Sequence, residues 1–149
     1  MIPARVAIAL APLILRPPAT GAQENPWERQ VRQQLERVAQ TLPQEAHGQG
    51  HDRLVDMMNS GESTAFTLTL PAAASYALIG ACDNDCTSLH LVLSNEAGNY
   101  EIAASRPANE PPVVHLSSKE ATRYRIKVVM AACSVNPCWY GIAVYRIKA

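Results

Sequence analysis

The sequence predicts a mainly β fold, an antiparallel β-sandwich or jelly roll with one N-terminal amphipathic helix, and three observations carry that prediction. From Thr64 onward apolar side chains alternate with polar ones at the period of two that a half-buried strand requires. Runs of this kind recur at roughly ten- to twelve-residue spacing with turn residues between them, the rhythm of a sandwich. Ahead of them Trp27, Val31, Leu35, Val38 and Leu42 recur at helical intervals. A chain of 149 residues, 48% apolar and 17% charged, allows one domain of ordinary size and argues against disorder or a long coiled coil.

Residues 1–22 read as a secretory leader. Arg5 supplies the positive start, 6–15 an apolar stretch, and Thr20-Gly21-Ala22 a small-residue cleavage site. Interrupted by Pro12 and closed by Arg16, the stretch falls short of the ~20 apolar residues that span a bilayer, so no transmembrane segment is expected after cleavage. Asn25-Pro26-Trp27-Glu28 then has the form of a helix start, with Asn as cap and Pro at the first helical position. The helix is expected over 26–42 within a helical segment 23–43, its stripe lying either on the chain's own sheet or on a partner. Residues 44–63, with Gly48, Gly50 and Gly61, read as a linker in which 54–58 forms at most a short turn or edge strand. His47 and His51 stand four apart, a metal-ligand spacing on a helix, but the glycines between them favour a solvated loop. The sandwich domain occupies 64–149, with strands expected at 64–70, 75–81, 88–93, 100–105, 113–116, 122–130 and 139–147.

Four cysteines lie in the exported part as Cys82-x3-Cys86 and Cys133-x4-Cys138. Spacing favours two local disulfides in an oxidising compartment. The competing zinc site of four thiolates prefers C-x2-C knuckles. If successive strands run antiparallel, the loops 82–86, 106–112 and 133–138 fall at one end of the sandwich, gathering Asp83, Asp85, Arg106, Glu110, Asn136 and Trp139. Asp83, Asn84, Asp85 and Glu110 are the candidate ligand or cation loop: their oxygens suit a hard cation such as calcium, and Asx residues equally make turns with their own backbone.

The runs Phe66-Thr67-Leu68-Thr69-Leu70-Pro71, Tyr76-Ala77-Leu78-Ile79-Gly80, Leu89-His90-Leu91-Val92-Leu93, Gly98-Asn99, Pro112-Val113-Val114 and Tyr124-Arg125-Ile126-Lys127-Val128 resemble the bacterial pre-peptidase C-terminal domain. That resemblance implies a secreted β-sandwich, usually appended to extracellular proteases and associated with secretion or with substrate or matrix binding, and in some members with calcium. Ser88, His90 and Asn95 stand where members often carry aspartates, so the family's calcium site does not transfer to this chain.

Balanced charge, thirteen basic against thirteen acidic side chains, argues against nucleic-acid binding. No nucleophile elbow, zinc-protease, phosphate-loop or dinucleotide motif occurs, no catalytic residue is assigned, and His90 and His115 read as structural or surface histidines. Arg123, Arg125 and Lys127 alternate along one strand as a basic face, which Arg146 and Lys148 extend if the last strand pairs beside it. The face serves either an acidic polymer or the protection of an edge strand. These readings converge on an exported, periplasmic or secreted, non-enzymatic module that binds a protein, glycan or surface polymer through its disulfide-bearing end. The alternatives are an envelope-associated subunit docking through the helix and, third, an enzyme of unrecognised type. No cofactor is expected, calcium at the Asp83-Asn84-Asp85 loop being the one candidate.

Overall fold

Asn25 starts the helix as its position suggests. Its Oδ1 accepts the Trp27 amide at 2.9 Å, Pro26 needs no partner, and α1 (Pro26–Gln40) follows. The computed structural model describes residues 23–43, 49–120 and 122–147, so the leader 1–22, His47 and Lys148 lie outside the described residues. Among these residues eight strands follow: β1 (Gln49–Met58), β2 (Ser63–Leu70), β3 (Ala74–Cys82), β4 (Cys86–Asn95), β5 (Glu101–Ser105), β6 (Val113–Ser118), β7 (Thr122–Cys133) and β8 (Cys138–Ile147). They form two antiparallel four-stranded sheets, β1-β8-β3-β6 and β2-β7-β4-β5.

The sheets face each other across one apolar layer. Tyr76, Leu78, Tyr140 and Ile142 from the first sheet meet Leu89, Leu91, Leu93, Ile126, Val128 and Met130 from the second. Their alternate neighbours point away, as the pleat demands. On the first sheet those neighbours are apolar as well. Ala77, Ile79, Ala81 and Ala143 pack against Val31, Leu35, Val38 and Leu42 of the helical segment, making a second core outside the sandwich. The helix stripe is therefore covered by the chain itself, with Val31 and Leu35 fully buried. Gly141 makes this close approach possible, since a β-carbon there would lie 2.7 Å from Cγ1 of Val31.

Three expectations need correction. The 44–63 linker contains β1, which is the edge strand expected as one option for 54–58 but runs ten residues, pairing with β8 from Gln49↔Tyr145 to Met58↔Cys138, and it includes His51. Helix and sandwich core take apolar residues from its opposite faces, Val55 outward and Met58 inward. Such a strand shows no clean alternation, and register shifts between Gln49 and Leu54 obscure it further. Trp27, expected in the core, is 45% exposed because the first helical turn reaches past the sheet. Finally, β8 lies in the sheet opposite β7, so Arg146 does not extend the basic face; β7 is itself flanked by β2 and β4, so its cations guard no edge.

Candidate binding cleft at the disulfide-bearing end

Strand register places the loops. The partners Met58↔Cys138, Cys82↔Tyr140, Ile79↔Val113 and Cys86↔Cys133 bring the 59–62 turn and the 83–85, 106–112 and 134–137 loops to one end of the sandwich. The start of α1 is there too, Gln30 Oε1 accepting the Asn84 amide at 2.9 Å. Each of the four loops crosses from one sheet to the other. Cys82–Cys86 and Cys133–Cys138 are both bridged, and each bridge clamps one of these crossings.

Asp83 organises the first loop from a nearly buried position. Its Oδ2 accepts the Trp139 amide at 2.8 Å and its Oδ1 the Asp85 amide at 3.1 Å, while its own N–H donates to the Trp139 carbonyl at 3.0 Å. Both carboxylate oxygens thus serve as acceptors for the loop backbone, an Asx turn with a long-range partner. Ser134 donates its N–H (2.8 Å) and hydroxyl (3.0 Å) to the Asp85 carbonyl. Asn136 Oδ1 accepts the Ser60 amide at 2.7 Å, and Ser60 Oγ accepts the Cys133 amide at 3.2 Å. Three loops are tied together by side-chain-to-backbone bonds, which makes their end of the sandwich a rigid platform.

The 83–85 loop is a wall between two clefts. On one side Asp83, Asn84 and Glu110 come together in a polar depression of about 300 Å³ with Gln34, Ser88 and Asn109. Asp85 faces the other side, where Trp27, Trp139, Val135, Asn136 and Pro137 line a cleft of about 240 Å³ floored by Asp83. Both tryptophans of the chain meet here. The four residues expected to form one loop site are split between two clefts. Among the described residues no three His, Cys, Asp or Glu side chains group as metal ligands.

Strand parity alone puts Trp139 at this end of the sandwich; Trp27 is the cleft residue that the sequence does not reveal. Trp27 sits in phase with the buried stripe, and only its place in the first helical turn, immediately after the cap, separates it from Val31. Trp139 follows a cysteine at the head of a strand, a local signal that agrees with the parity.

The outer face of the second sheet carries the basic residues. Arg123 pairs with Glu96 at 3.2 Å, while Arg125 and Lys127 have no acidic partner among the described residues. Arg125 lies over Gly98, whose hydrogen leaves space for it. Arg106 binds Glu101 through two bonds, 2.7 and 3.2 Å, and holds that carboxyl below its usual range. His90 opens onto the same face and its Nε2 lies 3.0 Å from Ser88 Oγ. The Ser88 hydroxyl donates to the Pro107 carbonyl at 2.8 Å. Its single hydrogen is thereby committed, so His90 is the donor to Ser88, the reverse of the polarity that activates a serine nucleophile.

Among the described residues no helix is long and apolar enough to cross a membrane. No family profile and no curated protein sequence matches the chain. Among solved structures the chain is similar to a periplasmic inhibitor of g-type lysozyme from Aeromonas hydrophila, at 12% identity and a TM-score of 0.47 over 66% of this chain and 88% of that one. It is also similar to the pre-peptidase C-terminal domain of a collagenase from Bacillus anthracis, at 14% identity and a TM-score of 0.49 over 62% of this chain and 87% of that one.

Proposed function

We propose that this chain is an exported, non-catalytic β-sandwich module that binds a protein, glycan or surface polymer through its disulfide-bearing end. One observation carries the reading: both tryptophans, one of them 45% exposed, converge with Asp85 and Asn136 on a cleft that two disulfides and a set of inter-loop hydrogen bonds hold in shape. Partly exposed indoles held on rigid elements, here the first turn of α1 and the head of β8, are what recognition sites use, because they offer a large contact area at small entropic cost. Two disulfides and the leader-like 1–22 segment support an extracytoplasmic location.

The rival subunit reading needed a free helix stripe, and Val31, Leu35 and Val38 are occupied by the chain's own sheet. Arg125 and Lys127, without an acidic partner among the described residues, favour a second contact, with an acidic polymer, on the outer face of the second sheet. Arrays of peptides and surface polysaccharides test both. Binding that Trp27→Ala removes supports the loop-end site, binding that Arg125→Gln with Lys127→Gln removes supports the sheet face, and binding indifferent to both sets contradicts the proposal.

A further inference from the structure

The charge around the tryptophan cleft is one-sided. Its lining includes Asp83 and Asp85 and, among the described residues, no basic side chain. The arginines nearest to it on α1 are engaged elsewhere: Arg29 with Glu24 at 3.7 Å, and Arg32 with Glu24 at 2.9 Å and Glu28 at 2.6 Å. Asp83 takes its hydrogen bonds from neutral backbone amides and pairs with no cation among the described residues. The Asp85 carboxylate, half-buried, accepts no hydrogen bond among the described residues. Two anions therefore stand beside two indoles, whose faces attract cations through the ring quadrupole.

Apolar surface extends the same cleft. Val135 is 61% exposed, Pro137 adjoins it, and Met57, 48% exposed, is the cross-strand partner of Trp139. The methylene stem of a long basic side chain matches such a wall while its head reaches the carboxylate. At about 240 Å³ the cleft is smaller than the ~300–1,000 Å³ of pockets that enclose a small-molecule ligand, and it is open on one side. One inserted side chain from a larger partner fits that size. A neutral sugar would also stack on indole, but it leaves the Asp85 carboxylate without a role, and an acidic ligand would be repelled.

From this combination we infer that the cleft receives an arginine or lysine side chain of a basic polypeptide, its stem against Val135 and Pro137, its cation between the indoles and Asp85. The inference rests on the proposed loop-end binding surface and names the chemistry of its partner. Disulfides and inter-loop bonds fix the cleft before the partner arrives, so little ordering is required on binding.

The test uses the protein's own reporters, since both tryptophans lie in the cleft. Intrinsic fluorescence and calorimetry are followed on adding an acetylated, amidated tetra-arginine peptide, a tetra-glutamate peptide, or cellotetraose. The arginine peptide should give a saturable change that weakens with salt, and Asp85→Asn should weaken it about tenfold, which corresponds to loss of ~1.4 kcal/mol. Asp85 uses only its backbone in the fold, so this variant keeps its circular dichroism. Glu110→Gln, on the far side of the loop, should bind as the parent does. Saturable binding of cellotetraose alone overturns the cationic ligand and leaves the loop-end surface standing. Equal losses in Asp85→Asn and Glu110→Gln, or no response to the arginine peptide, overturn the inference, and the array experiment then decides the loop-end surface separately.

Discussion

Replacing Gly141 with alanine should lift the helix from the sheet it covers. A β-carbon at this position would stand 2.7 Å from Cγ1 of Val31 and 2.8 Å from Cδ1 of Leu35, against the ~3.5–4.0 Å of a relaxed carbon contact. The Leu35 methyl ends a flexible side chain and can swing aside. Val31 is β-branched and holds one strongly preferred rotamer in a helix, so most of the missing ~1 Å must come from displacing α1. Overpacking of this kind costs about 1–3 kcal/mol, and relieving a strand glycine returns roughly 0.5–1 kcal/mol. At mid-range values the net loss is about 1 kcal/mol, a fall in melting temperature of roughly 3–5 °C for a domain of this size. Thermal melts followed by circular dichroism measure it. In a Val31→Ala background the offending methyl is gone, so the two substitutions should show a coupling of about 1 kcal/mol. An unchanged melt for Gly141→Ala, or strict additivity with Val31→Ala, refutes the packing argument.

Val31→Asp places an unpaired charge in the same contact and should cost about 3 kcal/mol or more; an unchanged melting temperature means the stripe is not core. Asp83→Ala strands the Trp139 and Asp85 amides and should destabilise the protein by roughly 2–3 kcal/mol, with faster hydrogen exchange at the Trp139 amide; wild-type exchange there removes Asp83 as the organiser of the loop. Burial, helped by the Asp56 charge, pushes the Tyr140 phenol from its ordinary 10.0 up to about 12. The folded chain therefore keeps a proton that the unfolded chain releases, and stability should fall as pH rises through that interval. Tyr140→Phe lacks this loss, so its melting temperature should decline less between pH 10 and 12; parallel alkaline melts contradict the assignment.

The strands from Ser63 to Ile147 were legible because most have one wet face. On β7 the exposed Arg123, Arg125 and Lys127 alternate with buried Tyr124, Ile126 and Val128. β1 was not legible because the helix covers part of its outer face, so Leu54-Val55 and Met57-Met58 show no period. The cysteine spacing set both disulfides, and strand parity placed their loops at one end. The neighbours of β8 were hidden: a short loop such as 134–137 looks the same in sequence whether it closes a hairpin or crosses between sheets. The cleft was hidden for a related reason. Whether a tryptophan in phase with a buried stripe is itself buried depends on how far the sheet extends beneath it, and that is set by β8, more than a hundred residues away.

Nuclear magnetic resonance distinguishes a cationic partner in the loop-end cleft from one on the outer sheet face. The protein has two indole N–H groups, from Trp27 and Trp139, and titration with the tetra-arginine peptide should move both signals together with the amides of Asp85 and Asn136. The signals of His90 and Lys127 on the outer sheet face should stay in place. Shifts centred on that sheet face, with the two indole signals unmoved, would contradict the account.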